Sequence, residues 1–212
     1  MKKSMGFYNF VTWFLSGLFR LLFRVKIIGK ENEKIDGAAI YCANHMSNWD
    51  AVILAVCTKR PITFVAKKEL FNVPVLKTLL KWLGVEPIDR GTNDFMAMKT
   101  ILGILKNGES IFMFPQGTRY PGVLPENTEV KSGIAMMIKH SKATVLPIGL
   151  YTKDYTVKLF KKVYVVIGEP VSFDSLNMES SSREEYERVS NEVFERVCVL
   201  CKQAEDLNDG EK

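Results

Sequence analysis

The sequence predicts an α/β fold in which helices flank a mixed, largely parallel sheet. Two observations lead to this fold class. Short apolar runs bounded by turn residues alternate with segments of helical periodicity along most of the chain. The 212 residues, 47% hydrophobic and 25% charged, suffice for one domain with a core. We expect an N-terminal membrane-associated helix at 1–24, an α/β domain at 25–207 and a disordered tail at 208–212.

The first predicted element is an aromatic helix within residues 7–23. Its polar side chains recur every three or four residues, so on a helix they form one narrow stripe. Aromatic and aliphatic side chains cover the remaining surface, which favours a helix lying in a membrane interface. A helix packed on the domain and a helix spanning the bilayer are the alternatives. No small-residue cleavage site follows the apolar stretch, which argues against a signal peptide.

Basic residues are concentrated at the N-terminus. Residues 1–30 contain six lysines and arginines and no acidic residue, whereas the whole chain has a formal net charge of +5. The rest of the chain is therefore nearly neutral. This distribution favours an anionic membrane surface as the partner. It argues against nucleic acid, which usually needs a basic face spread over the domain.

Strands and helices alternate along the body. Apolar runs predict strands at 25–29, 38–43, 62–66, 85–88, 110–114, 143–150 and 162–168. Helical patterns occur at 50–57, 75–83, 94–106 and 133–140, and in a long C-terminal segment. Asp50 stands at a plausible N-cap of the first of these helices, and Ser182 with Glu185 forms a capping box at the last. The chain has no internal repeat and neither of the glycine-rich motifs of nucleotide-binding folds.

The four cysteines indicate structural thiols. Cys42 and Cys57 lie in apolar runs and are predicted to be buried. Cys198 and Cys201 form a C-x-x-C pair, but inside a helical pattern and without a second pair of Cys or His residues. We therefore expect a reduced intracellular protein without a bound metal.

The segment 44–50 carries the sharpest chemical signal. It lies between a predicted buried strand and the start of a helix, where α/β proteins often place reactive groups. A strand–loop–helix turn can bring the Asp50 carboxylate onto the His45 imidazole, leaving the second ring nitrogen free as a base. A structural histidine beside a capping aspartate is the alternative. Ser47 is a rival nucleophile, although it lacks the G-x-S-x-G context of a strained catalytic turn.

Two further turns end apolar strands in polar residues. Residues 114–119 combine a Pro/Gly turn with a hydroxyl and an arginine, which suits a phosphate group because glycine admits the backbone and arginine supplies a charged fork. Residues 84–90 end in charged groups. Taken alone, either segment is better explained as an ordinary surface turn.

Taken together, these segments resemble the lysophosphatidic acid acyltransferases, also called 1-acyl-glycerol-3-phosphate acyltransferases. The order and spacing agree from about Val25 to Gly168. One departure is Gln116, where that family usually has glutamate. The matching residues are Asn44, His45 and Asp50 for N-H-x-x-x-x-D; Phe64 to Leu70 for F-V-A-K-x-E-L; Ile88, Asp89 and Arg90 for I-D-R; Phe114 to Arg119 for F-P-E-G-T-R; Lys131 to Gly133 for K-x-G; and Pro147 within an apolar strand.

The resemblance implies a membrane-bound enzyme of phospholipid biosynthesis on the cytoplasmic face. His45 and Asp50 are then the catalytic pair, which uses an acyl carrier protein or coenzyme A thioester to convert lysophosphatidic acid to phosphatidic acid, with no cofactor. The residues implied in substrate binding are Lys67, Arg90, Gln116, Gly117, Thr118 and Arg119. The alternatives are another lysophospholipid as the acceptor, a lipid esterase or thioesterase, and a non-catalytic membrane lipid-binding protein.

Overall fold

The computed structural model of the protein describes residues 17, 21–58, 60–72, 77, 85–88 and 94–211. Its strands are β1 Val25–Ile28, β2 Ala39–Ala43, β3 Ile62–Thr63, β4 Val65–Lys67, β5 Glu86–Ile88, β6 Ser110–Met113, β7 Thr144–Tyr151 and β8 Val163–Ile167. Its α-helices of known extent are α1 Asp50–Cys57, α2 Asp94–Lys106, α3 Gly133–Ser141 and α4 Arg183–Asp209.

Six of these strands form one sheet in the order β1-β8-β7-β2-β6-β3, counted over the described ranges. All neighbours are parallel except β7 and β8. The prediction of a mixed, largely parallel sheet is therefore confirmed. Because β2, β6 and β7 run in the same direction, their carboxyl ends meet at one edge of the sheet.

The core lies between the central strands and the helices that flank them. β2 and β8 are buried throughout, and seven of the eight residues of β7 are buried. α4 packs closely on β7, since a Cβ at Gly149 would come within 2.6 Å of the Cys201 backbone nitrogen. Glycine at this position lets the helix approach the strand directly. The buried face of α4 is Tyr186, Val189, Ser190, Val193, Phe194, Val197, Cys201 and Ala204.

The predicted strand at 62–66 is wrong as a single element. Residues 62–63 pair with β6 in the large sheet, whereas residues 65–67 pair with β5 in a separate two-stranded sheet. The chain changes sheets at Phe64, whose carbonyl accepts a hydrogen bond from the backbone of Glu86 at 2.8 Å. A continuous apolar run carries no information on its pairing partners, so the break was invisible in the sequence.

The sequence predicts a helix at the N-terminus and a disordered tail at the C-terminus. The predicted N-terminal helix lies mostly outside the described residues. The parts of it that are described, Gly17 and residues 21–23, are helical. In the described ranges, no helix combines the length and the hydrophobicity needed to cross a bilayer. At the other end, the expected tail from residue 208 is corrected, because α4 continues to Asp209. Glu211 then contacts Lys26, Lys162 and Tyr164, which lower the pKa of its carboxyl to about 2.

Candidate active site

His45 lies two residues beyond the carboxyl end of β2 and is placed by its neighbour Asn44. The buried Asn44 amide exchanges two hydrogen bonds with the backbone of Leu150, at 2.9 and 2.8 Å. Asn44 thus continues the contact with β7 past the last paired residue of β2, Ala43. Since β7 is fixed in the core, this bond pattern holds the start of the loop at the sheet edge.

The predicted pairing of His45 and Asp50 is present. Asp50 Oδ2 lies 2.8 Å from His45 Nδ1 and also accepts the backbone N–H groups of Met46 and Ser47 at 2.7 Å each. These bonds turn the carboxylate back toward the loop. Asp50 is the first residue of α1, and Trp49 occupies the N-cap, so the interpretation of Asp50 as N-cap is corrected.

The local hydrogen bonds decide which imidazole nitrogen is the base. An oxygen that accepts two backbone N–H groups acts as an acceptor, so His45 Nδ1 carries the proton toward it. Nε2 is then the nitrogen with a free lone pair. The imidazole stacks on the Phe114 ring with centroids 4.0 Å apart, and its side chain remains 19% exposed. The ring is thus fixed in orientation while it stays open to a reactant.

The backbone of His45 joins its loop to the loop that follows β6. Its N–H donates to Gln116 Oε1 at 2.6 Å, and its carbonyl accepts the N–H of Tyr120 at 2.9 Å. The two loops meet because β2 and β6 are parallel neighbours in the sheet. Arg119 also donates a hydrogen bond to the Asn48 side chain. The segment 116–120 is therefore bound to the His45 loop at both of its ends.

Of the remaining predicted substrate-binding residues, three lie beside His45 in the structure. Gly117, Thr118 and Arg119 are exposed in the turn beside His45, and Gly117 has a φ of +71°, a conformation that favours glycine. Lys67 is backbone-paired with Ile88 at the ends of β4 and β5. Arg90 lies outside the described residues.

Ser47 and His140 are placed differently from the His45–Asp50 pair. Ser47 Oγ accepts the N–H of Trp49 at 3.2 Å, and in the described ranges no recorded hydrogen bond joins it to His45. A serine nucleophile needs its base within hydrogen-bond reach. His140 is exposed in the last turn of α3. The geometry therefore favours His45 acting on a bound molecule rather than on Ser47.

The four cysteines are free thiols, and three of them are buried in the core. Cys42 and Cys57 are buried, as predicted. Cys201 is buried and contacts the Asn44 amide oxygen at 3.4 Å, while burial raises the pKa of the half-buried Cys198 to about 11. Thiols held in the protonated form are poor nucleophiles and metal ligands. No group of three or more potential metal ligands occurs in the part of the chain that the structure describes.

The residues of this site fall within the match to a known family. A family model described as Acyltransferase matches residues 24–151, more than half of the chain. This chain belongs to the acyltransferase family. The matched range includes the His45–Asp50 segment and the turn that follows β6.

Named relatives agree with the family assignment. The chain is similar to the 1-acyl-sn-glycerol-3-phosphate acyltransferase of Streptococcus pneumoniae, with 31% identity over 77% of this chain and 62% of that protein. It is also similar to the enzyme of that name from Bacillus subtilis, with 30% identity over 77% of this chain and 82% of that protein. The chain thus spans less than two thirds of the Streptococcus relative.

A solved structure supports the fold as well. The crystal structure of the 1-acyl-sn-glycerophosphate acyltransferase PlsC from Thermotoga maritima aligns with a TM-score of 0.69 and 25% identity. The alignment covers 95% of this chain and 84% of that chain. The similarity therefore extends over most of the molecule.

Gln116, the departure from the usual family motif, is a buried supporting residue. Its side chain is 1% exposed, with Oε1 bound to the His45 N–H and Nε2 donating to Thr128 Oγ1 at 2.7 Å. Thr128 in turn donates to the Pro125 carbonyl at 2.6 Å. This corrects the expectation that Gln116 binds substrate, because both of its polar atoms are engaged within the protein. The role of Thr128 carried no signal in the sequence.

Restoring the usual family residue here is expected to be harmful. In Gln116→Glu, both carboxylate oxygens accept, yet Thr128 already donates its proton to Pro125. The single Thr128 proton could then serve the carboxylate or the Pro125 carbonyl but not both, so a hydrogen bond is lost beside a buried charge, a cost of about 1–3 kcal/mol. We expect a lower melting temperature and a several-fold loss of activity, measured by thermal unfolding and initial rates.

The exposed Gln203 on α4 supplies the matched control. Gln203→Glu introduces the same charge at the surface and should leave both stability and rate unchanged. Equal behaviour of the two variants would contradict the inference that the Gln116 amide is needed as a donor to Thr128.

Proposed function

We propose that this protein transfers a fatty acyl group from an acyl thioester to the free hydroxyl of lysophosphatidic acid, forming phosphatidic acid. The observation that carries the proposal is the His45–Asp50 pair held by 2.8 Å contact beside the exposed 117–119 turn. A base and a candidate phosphate site thus lie next to each other, as a phosphorylated acceptor requires. The names of the Streptococcus and Bacillus relatives support this acceptor.

In the proposed reaction, His45 Nε2 takes the proton of the acceptor hydroxyl as its oxygen attacks the thioester carbonyl. Asp50 holds the imidazole and stabilises the imidazolium that forms. The tetrahedral intermediate then collapses, the carbon–sulfur bond breaks, and the imidazolium returns its proton to the leaving thiolate. The products are the ester and the free thiol, with no acyl-enzyme intermediate.

The acceptor phosphate is assigned to the turn after β6. Arg119 supplies a planar cation, and the backbone of Gly117 can approach a phosphate oxygen without a side chain in the way. Thr118 adds a hydroxyl donor. We extend this assignment to Lys67 and Arg90 on the strength of the sequence motifs alone. The donor thioester, on acyl carrier protein or coenzyme A, requires no further cofactor.

The location of the reaction follows from the substrates. Lysophosphatidic acid and its product are lipids, so we propose that the 25–207 domain works at a membrane surface, on the cytoplasmic face where acyl thioesters are made. The basic and aromatic segment 1–24 would hold it there, lying in the interface with its polar stripe toward water.

The first test is the reaction itself. Purified protein in detergent micelles is given lysophosphatidic acid and an acyl thioester, and lipid products and free thiol are both measured. Phosphatidic acid formed in equal amount to released thiol supports the proposal. Release of thiol together with free fatty acid would instead establish a thioesterase. If an ester formed only with another lysophospholipid, that lipid and not lysophosphatidic acid would be the acceptor.

Arg119 is expected to affect acceptor binding more than chemistry. Because charged hydrogen bonds to phosphate contribute about 1.5–3 kcal/mol, Arg119→Ala should raise the KM for lysophosphatidic acid by about 10- to 100-fold. The KM of the thioester should be unchanged. Initial rates against both substrates measure this split.

Arg183→Ala, at an exposed arginine on α4, is the matched control for charge and should have no effect. An acceptor without a phosphate, such as a monoacylglycerol, separates the two roles of Arg119. Its turnover should not respond to Arg119→Ala. An equal loss with both acceptors would show that Arg119 acts through its bond to Asn48 instead.

A further inference from the structure

The loop from Lys158 to Lys162, between β7 and β8, exposes two adjacent large apolar side chains. Leu159 is 54% exposed and Phe160 is 65% exposed. Isolated exposed apolar residues are normal on soluble proteins, but a neighbouring pair at the tip of a loop has a high cost in water. A partner that offers an apolar environment would cover both side chains of this 158–162 loop.

Positive charge surrounds the apolar pair. Lys158 precedes it, Lys161 and Lys162 follow it, and the five residues contain no acidic group. Lys162 bonds to Glu211, whereas no ion pair is recorded for Lys158 or Lys161 in the described ranges. One lysine without a recorded ion pair thus stands on each side of the apolar tip. This arrangement matches an anionic membrane, which has an apolar interior beneath negatively charged head groups.

The loop is attached to the N-terminal segment by its backbone. The Phe160 N–H donates to the carbonyl of Leu22, and Phe160 adopts a φ of +64°, which is uncommon for an aromatic residue. The side chain of Leu21 is 72% exposed nearby in sequence. The 158–162 loop is therefore continuous with the end of the segment for which the sequence predicts membrane association.

The same contacts lead on to the catalytic loop. The ring of Phe23, next to Leu22, lies 5.8 Å from the ring of Trp49, which is 47% exposed. Trp49 directly precedes Asp50. A chain of contacts thus connects the 158–162 loop with the His45–Asp50 site through residues 22–23.

We propose that the 158–162 loop is a second membrane-binding element, which places Leu159 and Phe160 in the acyl boundary of an anionic bilayer and Lys158 and Lys161 among its head groups. Because the loop connects through residues 22–23 to Trp49, its insertion seats the catalytic loop at the lipid surface. This inference concerns binding and does not depend on the proposed reaction.

An acidic protein, such as an acyl carrier, is the competing partner for the lysines. It would pair with Lys158 and Lys161 but needs a matching apolar pocket for two side chains. A bilayer provides that environment without shape complementarity. The basic composition of residues 1–30, linked to the loop through Leu22, points to the same surface.

Depth of insertion is the decisive measurement, since residues 1–24 could hold the protein on vesicles by themselves. Full-length protein carrying Cys198→Ser is labelled with a fluorophore at Leu159→Cys, at Phe160→Cys or at Val199→Cys. Vesicles of phosphatidylcholine with about one third phosphatidylglycerol carry a nitroxide quencher on the acyl chains. We expect strong quenching at the two loop positions and little at residue 199.

Val199 is a matched control because it is 62% exposed but lies far from the loop. It precedes Asp209, the last residue of α4, by ten residues, about 15 Å along the helix, and Glu211, which contacts Lys162, lies beyond that end. Two loop positions guard against a single variant that fails to fold. Loop labels quenched no more than the label at residue 199 would overturn the proposal.

The lysines give an independent test on unlabelled protein. Each lysine near an anionic surface should contribute about fivefold to vesicle affinity, so Lys158→Gln with Lys161→Gln should weaken binding by about 25-fold. On neutral phosphatidylcholine vesicles, the double variant should bind with the same affinity as the parent protein. The control Lys202→Gln should keep the parent's affinity for the anionic vesicles. If the double variant instead lost binding to acyl carrier protein and kept its vesicle affinity, the membrane assignment would be wrong.

Discussion

His45→Ala is expected to lower the rate of acyl transfer by about 10²- to 10⁴-fold, the range that a positioned general base contributes. The variant should remain folded, because the imidazole is partly exposed and the two bonds by which His45 joins the loops are made by its backbone. The loss should appear in kcat with little change in either KM, since the imidazole acts on the proton and not on substrate binding. Initial rates in micelles and thermal unfolding measure the two effects.

His140→Ala is the control for this variant, because the second histidine is exposed in α3, outside the catalytic loops. It should retain full activity. Imidazole added to the buffer offers a further check, since a small base can partly replace the missing side chain. If His45→Ala were as active as the parent, the general-base mechanism would be refuted and another group would have to accept the proton.

The sequence was most informative where function and local structure coincide. The order of a buried strand, a short loop and a helix placed His45 and Asp50 correctly, because a tight turn limits where five residues can go. The strand predicted at 110–114 is present as β6, which ends one residue earlier at Met113, and its parallel pairing with β2 explains why the 114–119 turn meets the His45 loop. That pairing itself is a tertiary fact, which periodicity does not contain.

The misjudged residues share a physical cause. Gln116 belongs to a motif whose members suggested a ligand site, yet its side chain points to Thr128 and the His45 backbone. Whether a polar side chain faces a substrate or a buried partner depends on the path of the loop between them. Likewise, Asp50 resembled an N-cap by position, but two backbone N–H groups on its N-terminal side hold its carboxylate.

Asp50→Asn is the second variant with a large expected effect, a fall of about 10²- to 10⁴-fold in rate. The backbone N–H groups of Met46 and Ser47 require an oxygen at the Oδ2 position, so the amide oxygen should take that place and still accept the His45 Nδ1–H. The tautomer is then preserved. What is lost is the negative charge that stabilises the imidazolium in the transition state.

In Asp50→Asn, the amide nitrogen at the former Oδ1 position is expected to lower the stability of the folded protein. Asp50 Oδ1 is buried and has no recorded hydrogen-bond partner within the described residues, so the amide nitrogen would bring two donors to a site without an acceptor. An unsatisfied buried donor costs about 1–3 kcal/mol, so thermal unfolding should shift downward. Asp50→Ala provides the comparison, because it removes all three bonds to Oδ2 and should unfold earlier while being no more active.

The two Asp50 variants separate charge from geometry. If the carboxylate served mainly to shape the loop, Asp50→Asn, which keeps all three bonds, would retain a rate within about threefold of the parent while Asp50→Ala lost it. If the charge acts on the imidazolium, both variants lose activity alike although they differ in stability. The second outcome is expected, because Oδ2 lies 2.8 Å from Nδ1 in a buried setting where little water screens the interaction.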